Sequence, residues 1–344
     1  MVRFQQILVG WYNGNKRDLP WRNTSNPYFI WLSEIILQQT RVDQGMSYYL
    51  KFVKEFPTVF HLAKAEEIDV LNLWQGLGYY SRARNLHTTA KIIVENHKGK
   101  FPENFNEIIK LKGIGNYTAA AISSFAFDEP RAVLDGNVFR VLSRVFSIET
   151  PIDSSLGQKQ FQELANELLD KKNPGNYNQA IMEFGALQCV PVKPDCEVCP
   201  LNSICEAKAQ NKVKMLPVKQ GKIKITQRWF VFEIIKTKTG NILLEKRNEK
   251  GIWQNLFQFP LKEFDNSEEK ERYLDPDKFL TISIECKHIL SHQHLFCTFA
   301  YRKEKVNETT DTFISISPDE LDNYPIPRVV EKFIEENANL LFVK

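Results

Sequence analysis

Over the first two-thirds of the chain apolar residues recur every third or fourth position; over the last third they fall into short runs. The first period belongs to amphipathic helices and the second to strands. A short amphipathic helix opens the chain, and Pro20 ends regular structure there. Asn26-Pro27 begins the next helix, since proline suits a first turn. Helical periodicity then runs through 28–55, which places Gln38, Gln39 and Thr40 near that helix's middle. Residues 58–98 read as further short helices, 103–126 as two helices around a tight hairpin, and 155–187 as two more. From Gln227 the pattern changes: 229–235 and 242–247 read as strands around a turn at 237–241. Residues 327–336 read as a closing amphipathic helix. The pattern therefore predicts a multidomain chain, all-helical first and α/β afterwards. Between the two lies a segment expected to be a linker, residues 206–226. There Lys208, Lys212, Lys214, Lys219, Lys222 and Lys224 face only Glu206, and Pro217 and Gly221 interrupt. Such a run is either a solvated face or a contact for phosphate or a partner protein.

Some residues break the pattern they sit in. Glu34 shares a stripe with Ile30, Trp31 and Leu37. An acid there is costly unless paired, and desolvation raises its pKa, which can make a general acid near neutral pH. A buried acid that caps a helix or pairs with an arginine fits equally. Arg17, Leu19, Trp21 and Arg22 alternate basic and apolar side chains, as a base-binding surface or a plain loop would. Residues 74–84 interleave Gly76, Gly78, Tyr79, Tyr80, Arg82 and Arg84, which suits either nucleic acid or a tyrosine-filled core. In Leu111-Lys112-Gly113-Ile114-Gly115 the glycines make a hairpin with Ile114 turned inward. Its N–H groups and the next helix's N-terminus converge as a phosphate site. Asp135 and Asn137 stand at a helix start, where Asp135 serves as an N-cap and could also face developing positive charge.

Composition changes this picture only in part. The chain has 344 residues, 43% apolar and 25% charged, with net charge +3. That is ordinary for a globular protein and permits nucleic acid without demanding it. No apolar run suits a signal peptide or a membrane span, so a reducing, cytoplasmic setting is expected. Four of the six cysteines fall in one short stretch, Cys189, Cys196, Cys199 and Cys205, spaced C-x6-C-x2-C-x5-C. This spacing points to a metal centre, with zinc and iron–sulfur both open. Cys286 and Cys297 read as core thiols.

The helix–hairpin–helix, the Leu134-Asp135-Gly136-Asn137-Val138 stretch and the cysteine pattern together resemble the endonuclease III superfamily of DNA glycosylases, over about residues 1–210. The resemblance implies a [4Fe–4S] cluster on Cys189, Cys196, Cys199 and Cys205. It also implies a six-helix region at 26–129, with 1–25 and 130–205 forming the iron–sulfur region. Members that cleave the strand through a Schiff base carry a lysine just after the hairpin; here Asn116-Tyr117-Thr118 stands instead. Residues 31–40 closely resemble the catalytic stretch of MutY-type adenine glycosylases. That implies Glu34 as the acid protonating adenine and Asp135 as the carboxylate stabilising the sugar cation, with Tyr117 and Asn137 in support. Gln39 and Tyr79 are implied as wedges in the duplex, and Arg17, Leu19, Trp21 and Arg22 as the adenine pocket. Lys112, Gly113 and Gly115 are implied on the DNA backbone. Phe139 replaces a lysine that some members use to trap the abasic product.

In the second half, 253–260 resemble the W-x-x-L-[WF]-x-F-P stretch of MutT-like (Nudix) domains, without that fold's acidic metal box. The resemblance implies a lesion-recognition domain at 227–344 after a catalytic domain at 1–205. Leu290-Ser291-His292 resembles the short stretch with which the family meets 8-oxoguanine, Leu290 replacing an aromatic residue; a plain turn fits Ser291-His292 as well, and His294 stands close by as another contact. The whole implies a monofunctional, monomeric base-excision enzyme. It would remove adenine opposite 8-oxoguanine or guanine from double-stranded DNA, with no membrane partner.

Overall fold

A computed structural model describes residues 2–221, 224–306 and 313–342; Lys222 of the basic segment lies outside the described residues. Helices come first: α1 (Val2–Asn15), α2 (Pro27–Leu37), α3 (Val42–Glu55), α4 (Val59–Lys64), α5 (Glu67–Leu73), α6 (Ser81–His97) and α7 (Phe105–Ile108). They continue as α8 (Asn116–Phe127), α9 (Gly136–Val145), α10 (Ser155–Leu168), α11 (Pro174–Leu187) and α12 (Glu206–Ala209). Strands follow: β1 (Thr226–Ile234), β2 (Ile242–Lys246), β3 (Phe257–Gln258), β4 (Leu261–Phe264), β5 (Phe279–Ile282), β6 (Cys286–Ile289), β7 (Gln293–Arg302) and β8 (Phe313–Ile316). Among the described residues the α-helices α13 (Ser267–Tyr273) and α14 (Arg328–Phe342) accompany them. No helix among the described residues is long and apolar enough to cross a membrane. The chain divides into two compact units, 1–64 with 85–221, and 65–84 with 222–344.

In the first unit polar residues set the helix starts. Asn26 accepts from Tyr28 N with Pro27 beside it, Asn104 from Glu107 N, Ser154 from Gly157 N, and Asn173 from Asn176 N. Each cap satisfies an N–H that the helix itself leaves unpaired. Between the helices Phe4, Leu8, Phe139, Leu142, Phe161, Tyr177 and Phe184 form one buried core. The periodicity over 28–55 is broken, which corrects one expectation. Gln38, Gln39 and Thr40 lie in the turn between α2 and α3, with Gln39 at φ 57° and Gln38 Nε2 donating to Thr118 Oγ1 at 3.2 Å. Helix α2 is buried nearly all round and α3 buries Gly45, Tyr49 and Phe52, so apolar positions continue on both sides of the turn that lets α3 pack on α2. The basic segment is partly tied down: Lys208 lies 3.1 Å from Glu197 and Lys212 2.6 Å from Glu149.

In the second unit β1 and β7 lie side by side in parallel, with β4 antiparallel to β1 and both β5 and β6 antiparallel to β7. A second sheet has the order β3-β2-β8. The central position of β1 explains its near-continuous apolar run, Phe230, Val231, Phe232 and Ile234 all being buried. Phe232 stacks on Phe299, and Phe299 on Phe333 of α14. Residues 65–84 pack here, against segments distant from them in the sequence. Asn72 donates to Asn323 O at 2.8 Å, Gln75 to Glu331 at 2.9 Å, and Glu67 accepts from Asn255 at 2.6 Å. Cys286 corrects a second expectation. It is exposed while Cys297 is buried, because β6 lies at the sheet's edge.

Candidate active site

A cavity of about 210 Å³ opens in the first unit, and Arg17, Leu19, Trp21, Arg22, Glu34, Tyr117, Asp135, Asn137 and Glu183 line it. The turn after α1 supplies the first four, α2 supplies Glu34, the start of α8 Tyr117 and the start of α9 Asp135 and Asn137. Every residue expected to do chemistry or to hold the base therefore faces one space, although they lie up to 120 positions apart in the chain.

Glu34 is 8% exposed. Burial pushes its carboxyl up to about 7; the Tyr117 hydroxyl pulls it down, Asp135 pushes it up, and Arg22 pulls it down. Tyr117 also reaches Met182, its hydroxyl 3.3 Å from Sδ, and burial raises that hydroxyl well above its ordinary range. Asp135 caps α9. Oδ1 accepts from Asn137 N at 2.9 Å and Val138 N at 2.8 Å, and Oδ2 accepts from Asn137 Nδ2 at 2.7 Å. Burial raises its pKa, while these donors and the Arg140 charge favour the ionised form. The two acids thus differ in kind. Glu34 is desolvated with few donors, whereas Asp135 is desolvated at a helix terminus rich in donors.

Two arrangements at the site escaped the sequence. Glu183, buried on α11, accepts from Arg17 N, Nε and Nη2 at 2.9, 2.9 and 2.6 Å and from Arg22 Nη1 and Nη2 at 2.9 and 2.7 Å. Burial alone would raise its pKa, but the arginines outweigh this and hold it at about 2. The available signal was an acid next to Phe184 on an otherwise apolar helix face. Arg140 is the second. Nε donates to Cys189 O at 2.7 Å, and Nη2 donates to Asn137 Oδ1 at 2.8 Å and Gly185 O at 2.7 Å. A chain of hydrogen bonds therefore runs from the cysteine stretch through Arg140 and Asn137 to Asp135. Gly185 admits this approach, since a Cβ there would lie 2.6 Å from that of Asn137.

The expected DNA-contacting residues are not in the cavity. Gln39 is exposed on its turn, and Lys112, Gly113 and Gly115 are exposed at the start of α8, with Ile114 buried beneath them. Gly113 needs its glycine, since φ is +79° and a Cβ would meet that of Asn85 at 2.6 Å. Tyr79 belongs to the second unit, exposed at φ 49° between Gly78 and α6. Ser291 and His292 form the exposed tip of the β6–β7 hairpin, Ser291 Oγ lying 3.0 Å from His292 Nδ1. Phe139 is buried against Phe161.

Cys189, Cys196, Cys199 and Cys205 line a separate cavity with Arg144, Phe184 and Leu201. Burial raises three of these thiols, Cys199 to about 11. Arg144 donates to Val190 O at 2.8 Å, Pro191 O at 3.1 Å and Leu216 O at 3.1 Å, holding the stretch in place. Among the described residues no three such ligands converge closely enough to hold a single metal ion.

Residues 32–167 match the family described as HhH-GPD superfamily base excision DNA repair protein, and 230–336 match the NUDIX domain. An adenine DNA glycosylase of Buchnera aphidicola subsp. Baizongia pistaciae is 40% identical over 303 residues, 85% of this chain and 84% of that protein. The chain belongs to the adenine DNA glycosylase family. A second glycosylase of that name, from Buchnera aphidicola subsp. Acyrthosiphon pisum, is 38% identical over 86% of this chain and 83% of its own length. The human adenine DNA glycosylase is 41% identical over 63% of this chain and 41% of its own. Among solved structures, a thermostable thymine-DNA glycosylase superposes with TM-score 0.56 at 29% identity, over 60% of this chain and 95% of that one. An endonuclease III–DNA complex shares the fold at 19% identity and TM-score 0.53, over 61% and 96%. The expected fold class, a helical glycosylase domain followed by a Nudix-like one, is borne out.

Proposed function

We propose that this chain hydrolyses the N-glycosidic bond of adenine in duplex DNA, acting on adenine opposite 8-oxoguanine or guanine. One observation carries the reading: Glu34 is buried in the cavity wall with its carboxyl near 7, and a second, differently held carboxylate lines the same cavity. Pairs of acids pushed apart by their surroundings divide acid and charge-stabilising roles.

The adenine leaves the stack to reach this cavity. Glu34 gives its proton to N7, so that the C1′–N9 bond breaks with its electron pair on a neutral base. Positive charge develops on the sugar, and Asp135 meets it with a carboxylate already oriented by α9 and Asn137. Water then adds to C1′ and releases a proton, leaving an abasic site. Tyr117 orients the Glu34 carboxyl, while Arg17 and Arg22, locked by Glu183, shape the wall beside Leu19 and Trp21. No lysine stands at 116–118, so strand cleavage by a Schiff base is not part of this chemistry.

Gln39 and Tyr79 wedge the duplex, Lys112, Gly113 and Gly115 hold a phosphate, and Ser291 with His292 reads the 8-oxoguanine. The assignment of residues 1–205 to catalysis, 206–226 to a linker and 227–344 to lesion reading belongs to the same proposal, as does action as a monomer. Cys189, Cys196, Cys199 and Cys205 hold a [4Fe–4S] cluster. The fit rests on four thiols that line one cavity, the ligand set that such a cluster takes. When bound, the cluster cross-links the stretch 189–205.

The test is single-turnover base release from duplexes carrying adenine opposite 8-oxoguanine, adenine opposite guanine, or thymine opposite guanine. Adenine release, fastest opposite 8-oxoguanine, is expected. Thymine release, or binding of the adenine duplexes without release, refutes the reading.

A further inference from the structure

Two thiols take no part in this chemistry. Cys286 on β6 and Cys297 on β7 are direct partners in the antiparallel register. Opposed residues of such a pair project to one face with Cα atoms about 4.5–5.5 Å apart, inside the roughly 4.4–6.8 Å that a disulfide spans. Cys286 is exposed and Cys297 is buried. They differ in acidity too: the hydrogen bond between them holds the Cys286 thiol below its ordinary range and pushes that of Cys297 up. Lys332 and Glu336 of α14 face Cys286 with opposite charges, and Glu285 adds a negative charge beside Cys297. An exposed, more acidic thiol directly opposite a shielded second thiol is the arrangement of an oxidisable cysteine with its resolving partner.

We propose that Cys286 and Cys297 are a hydroperoxide-sensitive dithiol that closes reversibly into a disulfide across the β6–β7 hairpin. The Cys286 thiolate attacks the outer oxygen of the hydroperoxide. The O–O bond breaks, an alkoxide or hydroxide leaves and takes a proton, and Cys286 becomes a sulfenic acid. The Cys297 sulfur then attacks the Cys286 sulfur. The S–O bond breaks, and the departing hydroxide takes the Cys297 proton as water. In sum, two thiols and one hydroperoxide give one disulfide, one alcohol or water, and one further water. The new bond ties the two strands behind the tip that carries Ser291 and His292.

Tryptic cleavage after Lys278, Lys287 and Arg302 places the two cysteines in separate peptides, 279–287 and 288–302, neither holding a cysteine of the 189–205 stretch. The full-length protein with its cofactor is treated with excess hydrogen peroxide. Remaining thiols are blocked with N-ethylmaleimide before digestion and mass spectrometry. A species joining the two peptides is expected, lost with dithiothreitol and absent from Cys286→Ser. Amide hydrogen exchange across 286–297 should slow in the oxidised form. Peptide 288–302 alkylated at Cys297 while 279–287 carries sulfenic or sulfinic acid, or both thiols still alkylated, overturns the proposal. So does a joined species without any change in exchange.

Discussion

Glu34→Gln removes one proton from the site while keeping the side chain's size and neutrality. The Glu34 carboxyl ordinarily titrates at 4.5 and in the fold at about 7, a gap equivalent to about 3 kcal/mol. The folded chain binds this proton more tightly than the unfolded chain does. The stability it contributes is therefore fully present below 4.5 and is lost as pH rises through 7. Glutamine never ionises, so the variant escapes that loss. Its stability relative to wild type should rise by about 2 kcal/mol between about pH 5.5 and 8.5, whatever constant offset the amide introduces. Urea unfolding followed by helical circular dichroism at the two pH values measures this. Kinetics give the second half of the test. Wild-type adenine release should fall roughly tenfold per pH unit above about 7. The variant should lose on the order of 10²-fold or more at every pH and keep its affinity for the mispaired duplex. A stability difference that does not change with pH refutes the burial argument, and near-wild-type turnover refutes the assignment of the acid.

Asp135→Asn keeps a residue that caps well, so stability should change by less than about 1 kcal/mol while adenine release collapses; parallel losses in melting and turnover would reduce Asp135 to a cap. Glu183→Gln leaves Arg17 and Arg22 without their shared counter-charge. At neutral pH it should destabilise by about 2–3 kcal/mol, the figure being moderated by the solvent that reaches Arg17, and a raised KM in multiple-turnover assays should accompany it. Arg140→Lys cannot reproduce a fork that reaches Cys189 O, Asn137 Oδ1 and Gly185 O at once. Iron content and excision should fall together, and full iron with full activity would show that the chain of hydrogen bonds is dispensable. Gln75→Ala removes contacts to Ile326 N and Glu331 beneath the Tyr79 loop. A weakened preference for mispaired over matched duplex is expected in binding titrations.

The site's legible residues were those that break a local pattern. Glu34 stands on an apolar stripe and Asp135 stands immediately before a helix, and each can be seen within a few positions. Glu183 breaks the pattern of α11 just as plainly, but its meaning depends on Arg17 and Arg22, more than 160 positions away. No local period carries that pairing. The turn at 38–41 was hidden for the opposite reason. Helix α2 is buried on nearly every side, so it has no single apolar face whose end could mark the break; only the polar run Gln38-Gln39-Thr40 did. Cys286 was misread because a strand's apolar character does not say whether it lies at the centre or the edge of its sheet.

Residues 65–84 carry this reasoning furthest. Their apolar positions, among them Val70, Leu71, Trp74 and Tyr80, are buried as the helical pattern requires. Periodicity records that a face is covered and not what covers it, and here the cover comes from the second unit. Tyr80 reaches Ile326 O, Gln75 reaches Ile326 N, and Arg84 reaches Gln254 O. The loop between α5 and α6 that presents Tyr79 is thus built on the same unit as the hairpin that presents Ser291 and His292. If both meet the mispair, its reading is shared by one packed body, and the catalytic cavity of Glu34 and Asp135 belongs to the other. That division explains why contacts under Tyr79 should alter discrimination between duplexes, whereas changes at the two carboxylates should alter the bond-breaking step alone.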